Sequence, residues 1–78
     1  MARIDFTNIE KVSKERNNIH DKVYSTYTAF EKDGKEYVQL DTYGRNNREL
    51  PGKISQSIQV DKDDALVIID ILKKEFDL

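Results

Sequence analysis

Between Ala65 and Leu72 the chain reads Ala-Leu-Val-Ile-Ile-Asp-Ile-Leu, so Asp70 is the one polar residue in about two helical turns. Ala65, Ile68, Ile69, Leu72 and Phe76 fall on one stripe at i, i+3, i+4 spacing, which is an ordinary core face. Leu66, Val67 and Ile71 extend the apolar surface beyond that stripe. A helix that is apolar on nearly every side has to be buried on more than one. In a chain of 78 residues the second cover is expected from another copy, which predicts a homodimer, or a larger assembly, with Leu66, Val67 and Ile71 at the interface. Size points the same way. A chain this short buries too little surface to be comfortably stable alone, and with no cysteine and a single histidine it has neither a disulfide nor a Cys/His zinc site as a staple.

The helix is predicted over Asp61 to Phe76. Asp61 is a good N-cap, Asp64 follows three residues on, and Lys73 and Lys74 lie near the negative end of the helix dipole. Upstream, Val23 to Phe30 is dense in β-branched and aromatic residues and reads as a strand. Asp33-Gly34 supplies a tight turn, and Glu36 to Tyr43 alternates as the second strand of a hairpin. Val38, Leu40 and Thr42 are expected to face a core, with Tyr37, Gln39, Asp41 and Tyr43 on the other side. A third strand, Lys53 to Val60, puts Ile54, Gln56, Ile58 and Val60 opposite Ser55, Ser57 and Gln59. Residues 1 to 22 fit either a strand near 2 to 8 or a short helix after the capping-box pattern Thr7-x-x-Glu10, and the strand is favoured. The expected fold is therefore one α+β domain over 1–78, an antiparallel, curved sheet of three to four strands within 23–60 followed by a C-terminal helix over 61–76 that packs in a homodimer.

The net charge of −2 conceals an asymmetry. Residues 61 to 78 carry a net of −3, whereas residues 43 to 60 contain Arg45, Arg48 and Lys53 against Glu49 alone. The loop from Gly44 to Gly52 is polar and long for a hairpin connection, which marks it as a candidate functional loop. The chain has no glycine-rich phosphate loop, no nucleophile elbow and no histidine pair at metal spacing, so a binding module is favoured over an enzyme. His20 is given no role, and no catalytic residue, metal or cofactor is assigned. The one enzymatic alternative pairs Asp41 with Asp21, Glu36 or Glu49 around a magnesium ion to nick DNA. No segment has the length or hydropathy of a signal peptide or membrane span, and a cytoplasmic location is expected.

The exposed side of the sheet gathers Tyr37, Gln39, Tyr43, Lys53, Ser55, Ser57 and Gln59, with Arg45, Asn46, Asn47 and Arg48 in the loop. Aromatic rings that stack bases, beside cations and hydroxyls that contact phosphates, are what a sequence-tolerant site for single-stranded nucleic acid requires. In that reading Tyr37 and Tyr43 stack bases, Arg45, Arg48 and Lys53 contact phosphates, and Ser55 and Ser57 hydrogen-bond backbone oxygens.

The strand Tyr37-Val38-Gln39-Leu40-Asp41-Thr42-Tyr43, the polar loop through Pro51, and Gly52-Lys53-Ile54-Ser55 leading to Asp61-Lys62-Asp63-Asp64-Ala65 resemble the transcriptional coactivator family known as positive cofactor four. The resemblance covers about half of the chain. It implies a small dimer that binds single-stranded DNA on a sheet face, with a helix packed on its partner's. Bacterial and phage proteins of this fold type include anti-CRISPR and DNA-nicking members, so the resemblance also implies, as an alternative, an anti-defence role exerted on DNA or by blocking a partner protein. The chain departs from the family in its longer third strand, in Leu66 or Val67 where an early helical aromatic is usual, and in having fewer lysines in the loop.

Overall fold

The computed structural model of the chain describes residues 1–44 and 52–78. Its elements are β1 (Ala2–Arg3), a 3₁₀ turn (Phe6–Asn8), β2 (Ser25–Lys32), β3 (Lys35–Tyr43), β4 (Ile54–Asp61) and α1 (Lys62–Phe76). The hairpin of β2 and β3 forms where Asp33 and Gly34, with φ of 54° and 79°, supply the two left-handed residues of a tight turn. That turn fixes the pairing of the whole hairpin, from Lys32 opposite Lys35 to Ser25 opposite Thr42. β4 then pairs antiparallel with β3. The register shifts at Thr42/Tyr43, so that Ile54, not Ser55, lies opposite Tyr43.

The sheet has four strands in the order β1-β4-β3-β2, and it is mixed where a purely antiparallel one was expected. Ala2 and Arg3 run parallel to β4 beside Ile58 and Gln59. Parallel pairing carries the N-terminal chain past the end of β4 in the direction that α1 takes, and so delivers Phe6 to the helix. Phe6 is 6% exposed and is the buried hydrophobic residue of the described chain. Its backbone N–H donates to Asp64 Oδ1 at 3.2 Å, and Lys11 Nζ meets Glu75 at 3.2 Å further along α1. The segment expected as a strand over 2 to 8 is thus a two-residue strand and a 3₁₀ turn capped by Asp5, with no helix after Thr7.

α1 begins as its sequence signals. The Asp61 side chain accepts the Asp64 N–H at 2.9 Å, and Lys73 and Lys74 occupy the last turn. What the helix covers differs from the expectation. It docks on the 3₁₀ turn, with Val67 and Ile71 lining a groove shared with Phe6 and Ile9, and it does not lie across the sheet. Of the expected core stripe, Ala65 and Ile68 are half-buried while Ile69, Leu72 and Phe76 are exposed, as is Leu66. Val38 and Leu40, expected to face a core, are exposed as well, Leu40 by 46%, because no described element covers their side of the sheet. Replacement of Phe6 by alanine should therefore cost about 3–5 kcal/mol. That is comparable with the whole stability of a chain this size. Urea denaturation followed by circular dichroism should show loss of most or all of the folded baseline, and an unchanged midpoint would contradict this account of the core.

Candidate nucleic-acid interface

Residues opposite one another in a sheet share a face, so the registers assign every strand residue to one of two sides. One side carries Val38 and Leu40 of β3, Tyr27 and Ala29 of β2, and Ile58 and Val60 of β4. The other carries Tyr37, Gln39, Asp41 and Tyr43 of β3, Thr26, Thr28 and Phe30 of β2, Ser57, Gln59 and Asp61 of β4, and Arg3 of β1. The register shift brings Ile54 to this side, opposite Tyr43, where it was expected to share a face with Ile58 and Val60. The second side is the candidate site.

An aromatic pair stands near each end of it. Phe30 stacks on Tyr37 with ring centres 5.5 Å apart, and the Arg3 guanidinium lies 5.1 Å from the centre of the Tyr37 ring. Tyr24 and Tyr43 are 5.4 Å apart, and the Tyr43 hydroxyl hydrogen-bonds the Thr26 hydroxyl at 3.2 Å. Between the pairs runs a polar ladder. Gln59 donates to Gln39 Oε1 at 2.8 Å, Gln39 donates to Asp41 Oδ1 at 2.9 Å, and the Ser57 hydroxyl donates to the same oxygen. Asp41 and Ser57 are 6% and 3% exposed. The ladder satisfies its own members, and among the described residues no buried side-chain polar atom lacks a partner.

Of the residues assigned from sequence, Tyr37, Tyr43 and Ser57 come together on this face. Ser57 is committed to Asp41, which leaves it little freedom to meet a phosphate. Lys53 and Ser55 are exposed beside the register shift, and Arg45, Asn46, Asn47 and Arg48 lie outside the described residues. Of the residues assigned to the dimer interface, Leu66 is exposed, and Val67 and Ile71 stand beside the N-terminal segment. Phe30, Tyr24 and Arg3 complete the site and had no place in the sequence reading. The signal for Phe30 was present, since a two-residue turn at Asp33-Gly34 obliges it to oppose Tyr37. Among the described residues no cluster of three or more potential ligands could hold a metal ion.

Three carboxylates at the edge of the site depart from their ordinary acidity. Asp61 is held low by the Asp64 N–H it accepts at the helix N-terminus and then by Arg3, whose Nη2 lies 2.9 Å from Asp61 Oδ2. Asp5 is held low by the Thr7 and Asn8 side chains that donate to it. Asp64 goes the other way, pushed up by burial and by the nearby charge of Asp61. No protein-family model matches the chain, and neither does any curated protein or solved structure.

These shifts have opposite signs in stability. Where the folded-state pKa is lowered, as for Asp61 and Asp5, the stabilisation is complete above the unfolded value and is lost as pH falls through the lower folded one. For Asp64 the folded chain takes up a proton more readily than the unfolded chain, so its contribution grows as pH drops from neutral through its raised value. Asp61→Asn should consequently lower the melting temperature at pH 7, where the Arg3 ion pair is lost. It should also flatten the fall in melting temperature below about pH 4. Melting curves of the two proteins from pH 7 to pH 3 that stay parallel would contradict the assignment.

Proposed function

We propose that this chain is a module that binds single-stranded nucleic acid on its polar sheet face and works as a homodimer that covers the aliphatic face. The observation that carries the reading is that one sheet has chemically opposite faces. Aromatic rings, glutamine amides and hydroxyls stand on one, and Tyr27, Val38, Leu40, Ile58 and Val60 on the other.

Exposed area supports a second copy. The chain exposes 7497 Å², whereas a folded monomer of its mass is expected to expose about 4,900 Å². Its radius of gyration of 14.7 Å likewise exceeds the roughly 11.5 Å of a compact chain of this length. Part of that excess is residues 7–23, which are exposed along their whole length, and part is apolar surface that a second copy would cover. The aliphatic side of the sheet and the Ile69, Leu72 and Phe76 stripe of α1 are the surfaces with most to gain from it.

On the polar side, stacking is sequence-tolerant because every base has a π-face, and the Phe30–Tyr37 pair, its planes 23° apart against 40° for Tyr24 and Tyr43, offers the flatter aromatic platform. Gln39 and Gln59 bring donors and acceptors that can meet base edges. The Asp41 charge is screened from a phosphate by its burial and by two donors. Lys53 supplies a cation at the Tyr43 end, and Arg45 and Arg48 are further cations in the sequence, outside the described residues.

Fluorescence anisotropy with a labelled thirty-nucleotide single strand, against the corresponding duplex, tests this. The single strand should bind more tightly, with a salt slope of about −2 if three phosphates are neutralised. Tyr37→Ala or Phe30→Ala should weaken binding about 5- to 150-fold, the worth of one stacked base. Binding that is absent at 50 mM salt, or indifferent to salt, sinks the nucleic-acid reading. Light scattering at micromolar concentration should give a multiple of the 9.1 kDa chain mass, reduced by Leu40→Asp, and a monomeric wild type would sink the assembly.

A further inference from the structure

The strand order places β2 at one margin of the sheet and the two-residue β1 at the other. β2 is eight residues long, and among the described residues one of its two edges has no strand beside it. Which backbone groups look outward can be worked out. The Tyr43 N–H donates to the Tyr24 carbonyl at 3.0 Å, which makes these opposed residues a hydrogen-bonded pair. Such pairs alternate along an antiparallel ladder, so Thr26, Thr28, Phe30 and Lys32 direct their N–H and C=O groups to β3. Ser25, Tyr27, Ala29 and Glu31 direct theirs away from the sheet, and among the described residues nothing pairs with them.

Sheet proteins usually blunt such an edge with proline, a bulge, inward charges or a covering segment. β2 has no proline or glycine and no charge before Glu31, and its pairing with β3 runs without a register shift. Its Thr, Tyr and Phe content is what a paired strand favours.

We infer that β2 pairs antiparallel with β2 of a second copy about a two-fold axis, joining two four-stranded sheets into one of eight. The partner is a second copy because the strand is complementary to itself. Facing residues must share a sheet face, so the axis has to pass a residue position, and the two positions that keep most of the strand paired are Thr28 and Ala29. With the axis at Ala29, Tyr27 opposes Glu31, Thr28 opposes Phe30 and Thr26 opposes Lys32 of the other copy. With the axis at Thr28, Tyr27 opposes Ala29, Thr26 opposes Phe30 and Ser25 opposes Glu31. Neither register sets like charges against each other, and both put a β-branched residue against an aromatic one. The pairing also keeps the faces in phase, so the polar aromatic face of one copy continues into that of the other.

The edge is a different surface from the aliphatic face, and both can be used at once. Two such two-fold contacts with perpendicular axes close a tetramer. The inference stands on the backbone of β2 and does not rest on the nucleic-acid reading.

Because the chain has no cysteine, single cysteines report the contact cleanly. Thr28→Cys and Ala29→Cys each lie on one candidate axis. Glu31→Cys lies on the same edge but sits about 13 Å or more from its own counterpart in either register. That is too far to bridge, since a disulfide needs Cα atoms within about 7 Å. Mild oxidation should convert most of one of the first two variants to covalent dimer and leave Glu31→Cys monomeric on a denaturing gel. Ala29→Pro removes an outward N–H and no bond to β3, so it should lower the solution mass without changing the circular dichroism spectrum. Cross-linking of Thr28→Cys and Ala29→Cys no greater than that of Glu31→Cys overturns the inference, as does a well-folded Ala29→Pro protein of wild-type mass. Retention of oligonucleotide binding by Ala29→Pro would separate the edge contact from the binding face.

Discussion

The contact of Phe6 with α1 holds the architecture together. Among the described residues the helix is otherwise held by its junction with β4 at Asp61 and by the Lys11–Glu75 ion pair. The contact has three parts that depend on one another. β1 runs parallel to β4 and brings Phe6 to the right end of the sheet, the ring packs against the helix, and the Phe6 N–H is accepted by Asp64. Asp64 is itself placed by its own N–H donating to Asp61, which is in turn gripped by Arg3 from β1. The N-terminus and the start of the helix therefore form one unit in which a carboxylate with raised pKa and one with lowered pKa are neighbours. Folding of α1 and docking of Phe6 are therefore coupled, since among the described residues the 3₁₀ turn and the helix pack on one another more than α1 packs on any strand.

What was legible in the sequence was whatever local chemistry dictates. Asp33-Gly34 set the hairpin because two consecutive left-handed residues leave few other options, and Asp61 set the helix start because its side chain satisfies an amide that would otherwise be unpaired. Alternation along β3 separated Tyr37, Gln39, Asp41 and Tyr43 from Val38 and Leu40 correctly. Two features escaped. Ala2–Arg3 is too short for any periodicity, and its direction depends on a partner more than fifty residues away. The cover of the helix escaped for a different reason. Periodicity reports which side chains share a face and says nothing about what meets that face, so Val67 and Ile71 could lie against Phe6 and Ile9 while Ile69, Leu72 and Phe76 stay open.

The candidate site shows the same division. The residues of β3 were found because alternation selects them, whereas Phe30 and Arg3 reach Tyr37 through the hairpin register and the parallel strand. The burial of Asp41 and Ser57 also comes from pairing across strands. Asp41 is on the central pair of the sheet, opposite Ser57, and a serine so placed has a shorter path to the carboxylate than to solvent. A residue set that looks on paper like free hydroxyls and an exposed acid becomes a closed hydrogen-bond chain.

That closure bears on how the two faces are used. A polar face whose amides, hydroxyls and carboxylate already have partners can stand in water or meet a ligand without further rearrangement, and it gains little from being covered by protein. The aliphatic face has no such alternative, because each exposed Leu40, Val38 or Tyr27 keeps apolar area in contact with water until another surface removes it. If one side of this sheet is taken up by assembly, the free-energy gradient selects the aliphatic one. The side left open is then the one with aromatic pairs at both ends, and the edge of β2 adjoins it, so assembly through the aliphatic face and through the edge both leave the aromatic face accessible. Association and ligand binding as proposed would thus make no competing demand on the same atoms.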